Sequence, residues 1–253
     1  MLKESKIMDV FNKYVKKFDM NKGNVKAVYF HSLKMMDLCK NIASNLGIFS
    51  DEEIIICGFI GLFCDVGMFG NKNRLCHFNS SIDYSKKSVE IIFDKDKLIR
   101  DITDDTRYDD VIKVAIYCHN KNGLPNGLNN KLLHFCKVVR DAHTIENFRL
   151  IVNYQYIDMH IDNFPSDIVY NTFKQYNVIS NKIGNNDADN VLEVLSYIFG
   201  VNYHYCFVLL KEEESVNKLI TSLKISNKAL LKFFNQIGAV LNMYIDRKIV
   251  GYN

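Results

Sequence analysis

The chain has 253 residues, of which 48% are hydrophobic and 24% charged, and its formal net charge is +3. That is enough chain for one large domain or two small ones, with a sizeable core either way. The small charge, with lysines interspersed among acids, gives no support for a dedicated nucleic-acid surface.

The opening segment MLKESKIMDVFNKYVKKF has no apolar stretch of the kind a signal peptide needs. No run of about 18 uncharged apolar residues exists, so no membrane span is expected. There are seven cysteines, Cys39, Cys57, Cys64, Cys76, Cys118, Cys136 and Cys206, an odd number without a Cys-x-x-Cys pair. Most sit in apolar surroundings, where a free thiol behaves as a small hydrophobe. Reduced thiols and a cytoplasmic location are the expectation. The chain has only two prolines, Pro125 and Pro165, so few residues can break a helix.

In chain order, Ile7, Met8, Phe11, Tyr14, Val15 and Phe18 recur at helical spacing and predict a first amphipathic helix. A second is expected from about Val25 to Leu46, stopped by Gly47. Ser50 and Glu53 have the spacing of a capping box. The helix EEIIICGFIGLFCD that follows is apolar nearly all round and so belongs inside; Gly67 should end it. GMFGNKNRLCHFNSS reads as a loop. A helix is expected after Ser81 through YSKKSVEIIF, then a short piece around DKLIRDI. Asp109 or Asp110 is expected to cap DVIKVAIYCH.

NKNGLPNGLNN is the clearest loop. Asn130 should then cap the long helix KLLHFCKVVRDAHTIENFRLIV. Pro165-Ser166-Asp167 starts another. Asp187 or Asp189 should cap VLEVLSYIFG, and two amphipathic helices near Tyr205–Leu223 and Asn227–Lys248 finish the chain. The expectation is all-α, around ten helices in one domain.

Several polar residues sit where these helices end or bury themselves. They are His31, the pair Cys64-Asp65, His119-Asn120 and Asp141 with His143. Imidazole, carboxylate and thiolate bind transition metals. Taken singly, each has a plainer reading as a core, turn or surface residue. Together they say more. Asp65 ends a helix too hydrophobic to leave the interior, and a buried carboxylate must be paired or must hold a cation. Asp141 lies among Val138, Val139 and Ala142, which mark a buried surface.

The segments KAVYFHSLKMMDLC, IIICGFIGLFCDVGMF, HFNSSIDYSKKSVEIIF, VIKVAIYCHNKNGLPNGL, LLHFCKVVRDAHTIENFR and DADNVLEVLSYIFGVNY resemble, in order, blocks of the HD superfamily of metal-dependent phosphohydrolases. The likeness spans nearly the whole chain and is strongest to a bacterial branch of HD-domain proteins. It implies an HD-like helical bundle, with a core over 25–150 and a C-terminal extension over 151–253. It also implies a divalent metal and a small phosphorylated, nucleotide-like substrate. The metal ligands carried over are His31, Cys64, Asp65 and Asp141, and the catalytic candidates are Asp65 and His119. Tyr84, His119, Asn120, Lys121 and Arg140 would meet the substrate. His119 and Lys121 would stabilise phosphoryl charge.

The departures are concentrated at the site. Cys64 stands where the family has the His of His-Asp, Tyr84 where its branch has a His, and Met68 where it has an Arg. The last block reads Asp141-Ala142-His143, with Thr144 and Glu146 beyond. Losing the second histidine to Tyr84 argues against a two-metal site. Of Zn, Mn, Fe and Mg, a thiolate from Cys64 would favour Zn. It would also raise the pKa of metal-bound water and weaken hydrolysis. The other reading of Cys64 is a plain buried thiol. Two functions therefore stand side by side: a phosphohydrolase with an altered mononuclear site, or a catalytically inactive HD-fold pseudoenzyme that binds a nucleotide or protein partner.

Overall fold

The computed structural model describes residues 2–70, 83–121, 123–154, 160–180, 183–225 and 227–251. The expected loop over 71–82, with Cys76 and His77, lies outside them. The described residues form twelve α-helices, and their only β feature is an isolated bridge between His160 and Lys224. The fold is all-α, as expected. The chain divides into two compact units, Met1–His143 and Thr144–Asn253.

In the first unit, α1 (Glu4–Val15) and α2 (Gly23–Leu46) precede the buried α3 (Asp51–Phe63). Every residue of α3 from Ile56 to Phe63 is buried. The Ser50–Glu53 capping box forms: Ser50 Oγ accepts from the Glu53 amide, and Glu53 accepts from the Ser50 amide at 3.0 Å. Lys131 closes a salt bridge on the same carboxylate. Phe59 stacks on Phe63 with ring centroids 4.5 Å apart, and Phe11 of α1 meets Phe63 edge-on at 5.5 Å.

Close approach to α2 rests on missing side chains. A Cβ on Gly61 would lie 2.5 Å from the Met35 carbonyl oxygen, and one on Gly58 would meet only side chains, those of Lys40 and Met36. After α3 the chain makes a short 3₁₀ turn, Val66–Met68, against α4 (Tyr84–Glu90). There Gly67 is hemmed in by the Tyr84 carbonyl, and its amide donates to Ser88 Oγ at 2.9 Å.

A π-helical turn, Ile91–Lys95, extends α4, and α5 (Leu98–Ile102) and α6 (Asp109–Cys118) follow. Neither Asp109 nor Asp110 caps α6; Tyr108 holds that position without a side-chain hydrogen bond. Asp109 is instead engaged by Arg100. Helix α7 (Asn130–Tyr154) crosses from one unit to the next. Its capping side chain is Asn129, one residue before the expected Asn130, accepting from the Leu132 amide at 2.9 Å.

The second unit continues with α8 (Asp167–Lys174), α9 (Asp187–Ser196), α10 (His204–Glu212), α11 (Ser215–Ser222) and α12 (Lys228–Val250). Asn186, not Asp187 or Asp189, caps α9, accepting from the Asp189 amide at 2.9 Å. Asp189 turns inward and accepts from the Ser166 amide at 2.7 Å, which ties the start of α8 to α9. The single helix expected over Tyr205–Leu223 is two, because Glu214 adopts a left-handed backbone at φ 52°. Along α12, Leu230, Phe234, Ile237, Leu241 and Ile245 form its buried stripe.

Candidate metal centre

Two helix ends build the centre. Cys64 caps the C-terminus of α3, Asp65 follows it with φ −112° and ψ 15°, and His119 caps the C-terminus of α6. The close crossing at Gly61 brings His31, on α2, alongside. His31, Cys64, Asp65 and His119 are each 3% exposed or less.

Asp65 carries the arrangement. The Nε2–H of His31 donates to its Oδ2 at 3.2 Å, and the other oxygen, Oδ1, lies 3.4 Å from His119 Nε2. Burial alone would drive this carboxyl upward, but the positive charge of His119 and His31 in their protonated form outweighs it and holds the carboxyl well below its ordinary range.

The orientation of His119 is settled by its other nitrogen. Nδ1 lies 2.7 Å from the Ile116 carbonyl oxygen, which only accepts, so Nδ1 carries the hydrogen. In the neutral ring Nε2 is then a bare lone pair, buried and with no hydrogen-bond partner among the described residues. It faces an anionic oxygen. Two such atoms repel unless a positive charge lies between or beside them, which a proton on the ring or a metal cation supplies.

Cys64 completes the set. Its Sγ lies 3.5 Å from Asp65 Oδ2 and 3.2 Å from the Gly61 carbonyl. Burial, then the neighbouring Asp65 charge, raises this thiol well above its ordinary value. One donor atom each from Cys64, Asp65 and His119 falls within 4.8 Å of the others. One ion at roughly 2.0–2.3 Å from each would fit such a triangle. The donor set fits a metal: Nε2 of His119 already points at the group, and the residues fixing Asp65 and His119 orient ligands as outer partners do.

The structure brings together His31, Cys64, Asp65 and His119 of the residues singled out from sequence. His119, assigned above to catalysis and the substrate, is one of the three clustered donors, whereas His31 reaches the group through Asp65. Asp141 is fully buried on α7 and lies outside the three-donor group. His143 packs its ring edge-on to His119, centroids 4.9 Å apart, and lies 6.4 Å from the His31 ring.

Arg140 donates to the Cys118 carbonyl at 3.2 Å and to that of Lys121, so it closes the C-terminus of α6. Lys121 reaches Asp83 at 2.7 Å; burial works against it, but Lys121, Ser85 and the Lys86 amide draw that carboxyl down to about 2. Asn120 is exposed, and Tyr84 is buried at the start of α4.

Sequence reasoning treated Cys118 as plain core. A hydrogen bond from Cys136, opposed by burial and helped by Arg140, draws its thiol down to about 7. Nothing in the local sequence marks that pairing, since the two cysteines lie on different helices. None of the six described cysteines is in a disulfide, and no helix among the described residues is long and apolar enough to cross a membrane.

Compared with known proteins, the chain matches no family model, no curated sequence and no solved structure.

Proposed function

We propose that this chain is a metal-dependent phosphohydrolase with a single altered centre, acting on a small, nucleotide-like phosphoester. The observation that carries the reading is the buried His119 Nε2, without a hydrogen-bond partner among the described residues and 3.4 Å from the Asp65 carboxylate, with Cys64 Sγ beside it. Cys64, Asp65 and His119 would hold the ion, and His31 would keep Asp65 turned toward it. The thiolate–imidazole pair favours Zn²⁺ over Mg²⁺ or Mn²⁺.

When bound, such an ion supplies Lewis acidity toward a phosphoryl oxygen and activates water. The protein's part is to hold the donors in a dry, fixed frame. Asp65 stays ionised because two imidazoles face it, and His119 stays in one tautomer because the Ile116 carbonyl takes its Nδ1 hydrogen. The order of these residues along the chain, and their resemblance to the HD superfamily, support phosphoester hydrolysis as the reaction.

A second reading keeps the metal and drops the chemistry. The near-complete burial of all three donors favours it, because a metal wrapped this closely suits a structural role as well as a catalytic one.

Metal analysis of the purified chain beside a phosphoesterase screen tests both. About one equivalent of zinc with turnover, both lost in Asp65→Ala and His119→Ala, is the expected result. Stoichiometric metal without turnover leaves the binding protein, and absence of both removes the proposal.

A further inference from the structure

In the second unit, the C-terminal half of α12 borders a cavity of about 590 Å³. Tyr176 and Tyr244 form its aromatic part and Val240 and Met243 its aliphatic part, and Arg247 and Lys248 also line it. That volume falls in the range of small-molecule sites.

Three observations bear on this cavity. The first is backbone geometry: Tyr176, just past the C-terminus of α8, takes the left-handed turn with which helices often end, φ 58°, on a tyrosine instead of the usual glycine. The second is where that turn leaves the ring. The Tyr176 ring stacks on Tyr244 with centroids 5.7 Å apart and planes 19° from parallel, meets Phe199 edge-on at 5.3 Å, and is still 49% exposed. A ring held in place and left half in water adds little to its own core.

The third is charge. Asp246, between the cavity residues in sequence, pairs with Lys211 at 2.7 Å. Among the described residues neither Arg247 nor Lys248 has a carboxylate partner, and Lys248 Nζ sits over the Tyr244 ring, 5.4 Å from its centroid. A helix C-terminus attracts cations by itself, so charge alone would define nothing here. Cavity, half-exposed ring and two cations without carboxylate partners occur together. A second copy of the chain docked on this face by two-fold symmetry would bring two such cationic pairs toward each other, which disfavours it as the occupant.

We propose that this cavity binds a flat ring carrying an anionic group. The ring lies against the tyrosines and the Val240–Met243 wall, and Arg247 and Lys248 take the anion. An Arg fork matches an oxyanion in two hydrogen bonds, and aromatic faces accept a flat ring at offset stacking distance.

Calorimetric titration of the full chain, with chelator present, tests it. The probes are adenosine 5′-monophosphate, adenosine and inorganic phosphate. The monophosphate is expected to bind at least about tenfold more tightly than either of the others. Replacing both cations (Arg247→Ala with Lys248→Ala) is expected to lose about tenfold or more. Tyr176→Ala should weaken binding. Equal affinity for the monophosphate and adenosine, no binding at millimolar concentration, or an unaffected double variant overturns the proposal. Loss of binding in Asp65→Ala with the double variant unaffected places the ligand at the metal group instead and also overturns it. A dimer that Met243→Glu dissociates would show that this face belongs to a second copy.

Discussion

At the residue scale, Asp65 does two jobs with two oxygens. One accepts from His31, and the other lies 3.4 Å from His119 Nε2. Its negative charge is the reason two imidazoles can share this buried space. Asp65→Ala should therefore cost about 3–5 kcal/mol, the usual penalty for breaking a buried pair, measured as the loss in unfolding free energy in urea. Cys64→Ser makes a sharper test of ligation. A thiolate bound to cobalt gives a charge-transfer band in the near ultraviolet, and that band should be present in the wild type and absent from the variant.

A different buried carboxyl, Glu193 of α9, predicts a pH effect. Burial raises it to about 7, while the Tyr197 hydroxyl donates to it at 2.6 Å and pulls the other way. A carboxyl raised in the fold keeps its proton where the unfolded chain has lost it, so stability falls as pH rises from the ordinary value of 4.5 to about 7. Spread over that window, the loss is about 3 kcal/mol. Glu193→Gln keeps an acceptor for Tyr197 and should flatten the dependence of the thermal midpoint on pH. A variant with the same slope as the wild type would refute the assignment.

At the scale of elements, the crossing of α2 and α3 decides whether the donors meet. Gly61→Ala would force a Cβ to 2.5 Å from a backbone carbonyl, so the helices must part and His31 must leave Asp65. A loss of about 1–3 kcal/mol is expected, with weaker metal retention. Gly58→Ala, one turn earlier, meets side-chain atoms of Lys40 and Met36 and no backbone, and should change the melting temperature less. Both glycines were visible in GFIGLF, yet neither could be read as a contact, because the partner carbonyl lies on another helix.

Caps show the same division. The Ser50–Glu53 box was readable because donor and acceptor are three residues apart on one chain. The caps of α6 and α9 fell on neighbouring residues, because Arg100 recruits Asp109 and Ser166 recruits Asp189 from elsewhere in the fold. At Glu214 a predicted continuous helix breaks at a left-handed residue that is neither glycine nor proline.

At the scale of the molecule, the metal group lies wholly in the unit Met1–His143 and the aromatic cavity wholly in Thr144–Asn253. A ligand that binds only the folded chain stabilises it by mass action, by about 2.7 kcal/mol at a hundred times its dissociation constant. Zinc should accordingly raise the thermal midpoint of the wild type and not that of His119→Ala, and Arg247→Ala should keep the full response to zinc. Differential scanning calorimetry with and without chelator reads each of these.

Helices, the buried character of α3 and the polar residues at helix ends were legible in the sequence, since periodicity and capping are set by neighbours a few residues apart. His119 among the donors, the Gly61 crossing and the half-exposed Tyr176 ring were not. Each depends on atoms many residues apart meeting through space, and only the packing of helices against one another brings such atoms within ångströms.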